Sequence, residues 1–244
     1  MITSASNARV KLVRRLASRR QRDKLGLFAC EGEDLVAAGL DAGLEPVEAL
    51  VDAERPVLAE RPVLAERLSG AETVSAEIMA ALSALAHPAR VIAVFRRADL
   101  PRGAVGPGLA LWRVADPGNV GTILRSADAL GPAFVALSTG CADPTGPKAL
   151  RASAGAIFRV PTAPFEDASR PWAALVPAGG EPLERAEIDA GTLVLGAERD
   201  GLPEEVLARC EARVSIAQQA SAESLNVAVA AALGLYERRR RLAS

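Results

Sequence analysis

Short apolar runs alternate with amphipathic stretches through most of the second half of the chain. The apolar runs predict strands at 109–114, 133–137, 157–160, 192–195 and 213–216. The stretches between and after them predict helices at 119–130, 147–153, 165–175, 203–210 and 224–240. Strands that alternate with helices are typical of a mostly parallel sheet covered on both faces. We therefore expect an α/β fold whose functional site lies at the carboxyl ends of the strands.

The first hundred residues show the same alternation less regularly. Sparse apolar positions among charges predict one helix over 6–24. Further elements are predicted as strands at 27–30, 47–51 and 90–95 and as helices at 31–42 and 78–85. The hexapeptide ERPVLA occurs twice within 54–65 and indicates a local duplication on a surface loop or helix, because two copies are too few for a solenoid. A Pro/Gly-rich stretch then predicts two domains, 1–100 and 109–244, joined by a linker at 101–108.

Composition excludes several classes of protein. The single histidine, His87, and three cysteines far apart in 244 residues fit neither a zinc pattern nor a dense disulfide framework. No apolar run approaches the ~20 residues of a membrane span, and no apolar signal segment follows the first charges. We expect a cytoplasmic protein that binds no metal and no membrane, with chemistry that does not depend on histidine.

Charge is distributed unevenly, although the net charge is only -1. Basic residues crowd the segment 9–24, and a run of four arginines at 238–241 is interpreted as a frayed, solvated tail. A basic segment on an otherwise acidic chain indicates contact with a polyanion. The candidate contacts are Arg9, Lys11, Arg14, Arg15, Arg19, Arg20 and Arg22.

Three strand-to-helix junctions are rich in glycine and small polar residues. The first, at 116–121, leads into a helix that carries Arg125 one turn later, and a helix N-terminus favours an anion. The second, at 196–203, places Glu198 directly after a buried strand. In the third, Ser221 or Ser224 can cap the last helix, and an asparagine in the first turn, Asn226, is a poor choice unless its amide is used.

The runs NVGTILRSADALG, LVLGAERDGL and SLNVAVAAALGLYE, in that order, resemble the three motifs of the SpoU (TrmH-like) family. That family comprises S-adenosylmethionine-dependent RNA 2′-O-ribose methyltransferases of the SPOUT class. The resemblance covers about Leu109 to Glu237, and the basic N-terminal segment resembles, less specifically, the family's L30e-like RNA-binding substrate domain. It implies a C-terminal deep trefoil knot, a homodimer, and ribosomal RNA as the first choice of substrate, with transfer RNA second.

The resemblance also implies roles for single residues. The methyl donor would be held by Leu195, Gly196, Gly201, Ile216 and Leu225. The polar active-site set would be Asn119, Arg125, Glu198, Ser224 and Asn226. Because a guanidinium stays protonated in proteins, Arg125 is interpreted as the grip on the phosphate beside the target ribose. Glu198 would orient Arg125 or contacts on the dimer side, and Ser224 would hydrogen-bond near the reacting groups.

One loop departs from the family pattern. The last strand is usually followed by Ile-Pro-Met and glycines, whereas this chain has the run Ile216-Ala217-Gln218-Gln219-Ala220, so the preferred backbone and the donor contacts change. The alternative from another class is a non-catalytic RNA-binding or assembly protein that retains the fold, and the intact polar set argues against it. A nucleotide-cofactor oxidoreductase would need GxGxxG after a first strand, which the chain lacks. A role in antibiotic resistance stays open.

Overall fold

The computed structural model describes residues 1–55, 61–219 and 224–243. The chain folds into two compact units: Met1–Leu100 together with Thr145–Phe158, and Pro101–Pro144 together with the chain from Arg159 onward. The sequence-based boundary differs from this division because residues 145–158 join the first unit. There Phe158 packs against Phe28 and Phe95, with ring centroids 6.2 and 5.8 Å apart.

The first unit contains a mixed sheet with helices around it. Its described strands are β1 (Leu27–Glu31), β2 (Glu48–Asp52), β3 (Glu72–Val74) and β4 (Val91–Arg96). They are ordered β1-β4-β2-β3, and only the β2–β3 pair is parallel. The helices are α1 (Ala8–Leu16), α2 (Arg19–Leu25), α3 (Glu33–Asp41), α4 (Pro62–Arg67) and α5 (Ala76–Leu82), with α7 (Pro147–Ser153) from the later segment. The first ERPVLA copy lies mostly outside the described residues, and the second runs into α4.

The single helix predicted over 6–24 is wrong, because the backbone breaks between α1 and α2. Ser18 adopts an extended conformation, with φ -85° and ψ 129°. The Arg22 side chain turns inward and donates to the carbonyls of Leu16 and Ala17, at 2.8 and 2.9 Å. Carbonyls in the last turn of a helix lack partners within the helix, so Arg22 stabilises the corner between α1 and α2.

The second unit contains seven parallel strands within the described residues. They are β5 (Gly108–Leu111), β6 (Phe134–Leu137), β7 (Thr162–Pro164), β8 (Trp172–Val176), β9 (Glu181–Pro182), β10 (Thr192–Leu195) and β11 (Ala212–Ser215). Their order is β7-β6-β5-β10-β8-β11-β9. The described helices of this unit are α6 (Pro117–Leu130), α8 (Glu204–Leu207) and α9 (Val227–Leu242). The predicted α/β fold with a mostly parallel sheet is confirmed, and the in-register pairing of β6, β5 and β10 brings their carboxyl ends to one edge.

Two predictions between residues 157 and 175 are wrong. The strand predicted at 157–160 is a 3₁₀ turn over Ala156–Phe158, and β7 follows it. The helix predicted at 165–175 is a 3₁₀ turn over Phe165–Asp167 followed by strand β8. Pro171 stands immediately before β8 and opposes a continuous helix, since proline lacks the N–H and disfavours helical backbone at the residue before it. The apolar run after it therefore extends and fills a central position between β10 and β11.

The arginine run at 238–241 is anchored, which corrects the expectation of a frayed tail. Arg238 is 5% exposed, and its guanidinium donates to the backbone carbonyls of Ile188, Gly108 (3.0 Å) and Gly191 (3.2 Å). Burial lowers the pKa of Arg238 to about 10, against an opposing effect of Asp189, so the side chain remains charged at neutral pH. Arg238 thus ties α9 to the segments that lead into β5 and β10.

A second set of contacts holds the same end of α9. Glu237 accepts hydrogen bonds from Arg240 at 2.7 and 2.8 Å and from Arg241 at 2.9 Å. Arg241 also donates to the carbonyls of Leu183 and Ala186, at 2.6 and 2.7 Å. These arginines therefore serve the packing of the second unit.

Candidate active site at the carboxyl edge of the parallel sheet

The first motif loop leaves β5 and enters α6 through a capped turn. The Asp116 carboxylate accepts from the backbone N–H groups of Gly118 (2.6 Å) and Asn119 (3.1 Å), and Pro117 occupies the first helical position. A side-chain cap and an N-terminal proline both stabilise a helix start. Sequence reasoning assigned no role to Asp116, although an aspartate before proline and glycine is a signal for such a cap. The cap fixes the position of Asn119 in the first turn of α6.

Glu198 in the second loop binds the first loop. Its carboxylate accepts from the side-chain amide of Asn119 (2.9 Å) and from the N–H groups of Asp116 (3.2 Å) and Ala115 (3.3 Å). Burial acts to raise the pKa of Glu198, but these hydrogen bonds, led by that of Asn119, outweigh it and lower the pKa. The carboxylate is therefore charged at neutral pH and is a weak proton acceptor.

Asn226 joins the third loop to the same network. Its side-chain oxygen accepts from the N–H groups of Ala228 (2.9 Å) and Val229 (3.3 Å), so Asn226 is the N-cap of α9. Its amide donates to the side-chain oxygen of Asn119 at 3.1 Å. The cap predicted at Ser224 is therefore wrong, and Ser221 lies outside the described residues. A continuous chain Glu198–Asn119–Asn226 links the three motifs.

Arg125 and Ser224, the other two polar residues of the predicted set, do not take part in this series of hydrogen bonds. Arg125 is exposed on α6 and makes no hydrogen bond or ion pair within the described parts of the chain. Glu198, which was expected to orient Arg125 or contacts on the dimer side, contacts Asn119 rather than Arg125. Ser224 is exposed just before α9 and forms no hydrogen bond with a described residue. The guanidinium of Arg125 therefore remains available to an external anion.

The glycines of the second loop are required to close it. Ala197 and Gly201 exchange two backbone hydrogen bonds, at 3.0 and 3.1 Å. A Cβ added to Gly196 would lie 2.2 Å from the carbonyl carbon of Gly201, and Gly201 itself has φ +63°. Of the other residues assigned to the donor, Leu195 is buried, Ile216 is partly buried and Leu225 is 36% exposed.

The loop after β11 contains an acceptor that suits a polar ligand. The side-chain oxygen of Gln218 is buried and has no hydrogen-bond partner among the described residues, while its amide lies 3.5 Å from the Pro177 carbonyl. Buried acceptors without a partner are rare, and a bound molecule or water can satisfy them. Gln218 belongs to the run that departs from the family pattern, so that run places a buried polar acceptor in the loop after β11. Sequence reasoning gave Gln218 no role.

The predicted RNA-contacting residues of the first unit fall into two groups. Arg9 is paired with Glu48 (2.8 Å) and Glu72 (2.7 Å), and Arg22 is 4% exposed. The remaining members of the predicted set are exposed on α1 and α2, namely Lys11, Arg14, Arg15, Arg19 and Arg20. These five side chains form what we call the α1–α2 basic surface.

Neither a metal-ion cluster nor a membrane-spanning helix is found in the described parts of the chain. Within residues 1–55, 61–219 and 224–243, no group of three or more His, Cys, Asp or Glu side chains could hold a metal ion. None of the helices described there has the length and apolar character needed to cross a membrane.

At the carboxyl edge of its parallel sheet, the α/β fold joins the side-chain amides of Asn119 and Asn226 to the carboxylate of Glu198, and the guanidinium of Arg125 lies on the helix that follows the first loop. The model of the SpoU rRNA Methylase family matches residues 108–236, and that of the MRM3-like substrate binding domain matches residues 7–93. The chain belongs to the SpoU rRNA methylase family. It is an RNA 2′-O-ribose methyltransferase with S-adenosylmethionine as methyl donor, which confirms the class and cofactor that the sequence resemblance implied.

Two relatives match nearly the whole chain. An uncharacterized tRNA/rRNA methyltransferase of Synechocystis sp. is 34% identical, over 98% of this chain and 93% of its own length. The 23S rRNA (guanosine(2553)-2′-O)-methyltransferase RlmP of Bacillus subtilis is 29% identical, over 98% of both chains. The similarity therefore includes both units.

Solved structures agree with these relatives. An S-adenosylmethionine-bound rRNA methyltransferase from Sinorhizobium meliloti has a TM-score of 0.83 at 28% identity and covers 100% of this chain and 98% of its own. The SpoU methyltransferase AviRb from Streptomyces viridochromogenes, in complex with the same cofactor, has a TM-score of 0.82 at 26% identity, with 98% and 99% covered.

Proposed function

We propose that this chain methylates a ribose 2′-hydroxyl of ribosomal RNA in the cytoplasm. The observation that carries the proposal is the series of hydrogen bonds Glu198–Asn119–Asn226, which joins the three motifs at the carboxyl edge of the parallel sheet. Two relatives support the choice of RNA, since RlmP and the Streptomyces viridochromogenes 23S rRNA (uridine(2479)-2′-O)-methyltransferase both act on 23S rRNA.

The residues of the site act by orientation. S-adenosylmethionine supplies a methyl group activated by its sulfonium. The Glu198–Asn119–Asn226 chain holds the three loops in one arrangement, so little ordering is left for the moment of reaction. Arg125, with an uncommitted guanidinium, grips the phosphate beside the target ribose and aligns the hydroxyl. Ser224 lies just before Asn226 and hydrogen-bonds near the reacting groups.

The donor is held by the loops that follow β10 and β11. The contacting residues in this proposal are Leu195, Gly196, Gly201, Ile216 and Leu225. The Gln218 side-chain oxygen adds a buried acceptor for an N–H or O–H of the donor. This contact offsets the loss of the proline and glycines that the family usually has in that loop.

We also propose that the C-terminal segment passes through a loop to form a deep trefoil knot. The strand order supports this, because β10 and β11 flank β8, which precedes both of them in the sequence. Helix α9 then returns to pack against α6 and β10. Knots are rare exceptions to unthreaded topology.

A homodimer is proposed from the exposed face of α9. Val229, Leu233 and Tyr236 are 48%, 37% and 57% exposed and recur at helical spacing. Exposed apolar patches mark interaction sites. We expect Leu233→Glu to convert a dimer into a monomer in sedimentation analysis, whereas Val63→Glu, at a more exposed apolar site in the first unit, leaves the mass unchanged. A monomeric parent protein would exclude this interface.

In the first unit, we propose a substrate-binding role of the L30e-like kind, with RNA held on the α1–α2 basic surface. The match to the MRM3-like substrate binding domain over residues 7–93 supports this assignment. Arg9 and Arg22 contribute to the folded structure of that surface.

Mapping 2′-O-methyl positions in total RNA from a deletion strain and its parent tests the function. We expect one ribosomal-RNA ribose to lose its methyl group and to regain it on complementation. Loss from a transfer RNA would replace the substrate, and a complete methyl map in the deletion strain would favour the non-catalytic assembly protein.

A further inference from the structure

Arg113 occupies a strained position in the first motif loop. It follows β5 by two residues and has φ +51°, in the left-handed region that favours glycine. Ala115, two residues later, donates its N–H to Glu198. Two residues span at most about 7 Å between Cα atoms, so Arg113 lies close to a residue that Glu198 contacts. Strain of this kind persists where surrounding contacts hold it and concentrates at functional sites.

Neighbouring groups hold Arg113 in this conformation. Its N–H donates to the Ser138 hydroxyl at 2.9 Å, just after β6. A Cβ added to Gly140 would lie 3.1 Å from the Arg113 side chain, so the glycine makes room for it. The guanidinium carbon lies 5.6 Å from the ring centroid of Trp112, and Trp112 is itself fixed by an edge contact with Phe165 at 5.2 Å. A guanidinium stacked in this way keeps its N–H groups free for an anion.

Arg113 also differs from the arginines of its unit that pair with carboxylates. Arginines that pair with carboxylates there are Arg159, Arg170, Arg209, Arg213, Arg240 and Arg241. Within the described residues, Arg113 has no carboxylate partner, and neither has Arg125 on the helix that follows the same loop. Two uncommitted guanidinium groups thus flank the loop that carries Asn119.

We propose that Arg113 binds a phosphate of the substrate RNA at the rim of the active site, as a substrate-binding residue additional to the motif residues. The proposal rests on RNA being the substrate. A left-handed backbone, the Ser138 hydroxyl and the Trp112 ring orient the side chain, and the planar guanidinium fits two phosphate oxygens. Arg113 and Arg125 would hold successive parts of the RNA backbone on either side of Asn119.

Arg113→Gly is the decisive variant, because glycine accepts the left-handed backbone and only the side chain is lost. We expect a Tm equal to or above that of the parent protein and an unchanged Kd for S-adenosylmethionine. We expect the Kd for a large-subunit ribosomal RNA transcript to rise about tenfold at low salt, with a salt slope smaller by about 1. The RNA KM rises while kcat is retained, and Arg113→Lys recovers part of the affinity.

Arg185→Ala is the matched control, since Arg185 is exposed, has no carboxylate partner within the described residues, and follows edge strand β9. An RNA Kd and salt slope of Arg113→Gly equal to those of Arg185→Ala would overturn the proposal, and so would a parallel loss of donor affinity. If the parent protein binds the transcript without methylating it, the proposed ribosomal target fails, and the binding comparison still decides the role of Arg113.

Discussion

At the scale of single residues, the site separates groups that build it from groups that remain free. Asn119 accepts a hydrogen bond from the Asn226 amide and donates one to the Glu198 carboxylate, so its side chain links the other two motifs. Arg125 makes no hydrogen bond or ion pair with any residue that the structure describes. Removing Asn119 is therefore expected to disturb all three loops, whereas removing Arg125 tests one contact.

Arg125→Ala is expected to lower methyl transfer at least about 100-fold, because the RNA phosphate loses its orienting contact. Calorimetry should give a donor Kd within about twofold of the parent value, while a tritium-transfer assay measures turnover. Arg239→Ala, an exposed arginine on α9, serves as the control and should remain active. Unchanged turnover in Arg125→Ala would refute the assigned role.

At the scale of elements, local signals predicted most elements after residue 100 and failed where side chains from elsewhere decide. The strand at 192–195 and the helix at 147–153 match β10 and α7 because apolar pattern and end signals agree there. The apolar residues of the run 172–176 show no periodicity that distinguishes a strand from a helix. Pairing with the neighbouring strands β10 and β11 determines that it is a strand. The break between α1 and α2 depends on the inward turn of Arg22, which no spacing of charges indicates.

The site follows the same division. The motif residues could be named from the sequence. The hydrogen bonds among Glu198, Asn119 and Asn226 could not, because they form only when the fold brings three distant loops together. The role proposed for Gln218 could not be predicted, since a buried oxygen without a partner among the described residues becomes visible only in the folded loop.

Helix α9 should lose stability in acid through Glu237. Hydrogen bonds from Arg240 and Arg241 lower its pKa from 4.5 to about 2. A carboxyl with a lowered pKa in the folded state stabilises the protein above pH 4.5, and this contribution disappears as pH falls towards 2. We expect Glu237→Gln to reduce the free energy of unfolding by about 1–2 kcal/mol at pH 6, given the half-exposed Arg240, and by almost nothing near pH 2.

Denaturant unfolding at several pH values measures this difference. Glu204→Gln is the control, because the Glu204–Arg213 pair is exposed on both sides. A difference between parent and Glu237→Gln that does not change with pH would contradict the assigned ionic contribution.

The Arg238 anchor makes a second prediction for α9. Arg238→Lys keeps the charge but cannot reach three carbonyls that lie around a planar guanidinium. Buried carbonyls without partners cost about 1–3 kcal/mol, so thermal unfolding should occur several degrees lower. Arg239→Lys, at an exposed neighbouring position, should leave the Tm unchanged, and an equal Tm for both variants would argue against the anchor.

At the scale of the whole molecule, the net charge of -1 conceals a basic surface on one unit. Replacing Arg14, Arg15, Arg19 and Arg20 by glutamine should weaken RNA binding and flatten its salt dependence, by up to about 3 in slope for single-stranded contacts. The control variant replaces Arg61 and Arg67 by glutamine, because these arginines lie outside the α1–α2 basic surface and pair with Asp34 and Asp41. Filter binding at several salt concentrations measures both, and an unaltered slope would remove the α1–α2 basic surface from the RNA footprint.

The Arg238 anchor also bears on how the protein is made. The guanidinium reaches the Gly108 carbonyl from 130 positions later in the chain. At the usual pace of translation, roughly ten seconds separate the synthesis of the two groups. During that interval β5, the first strand of the parallel sheet, has been synthesised, but the Gly108 carbonyl lacks its Arg238 partner. The apolar strands of the nascent chain are then exposed to aggregation. A ribosome that slows between the codons of Gly108 and Arg238 would lengthen this vulnerable period. The yield of folded protein should therefore depend on codon choice in the segment between β5 and α9.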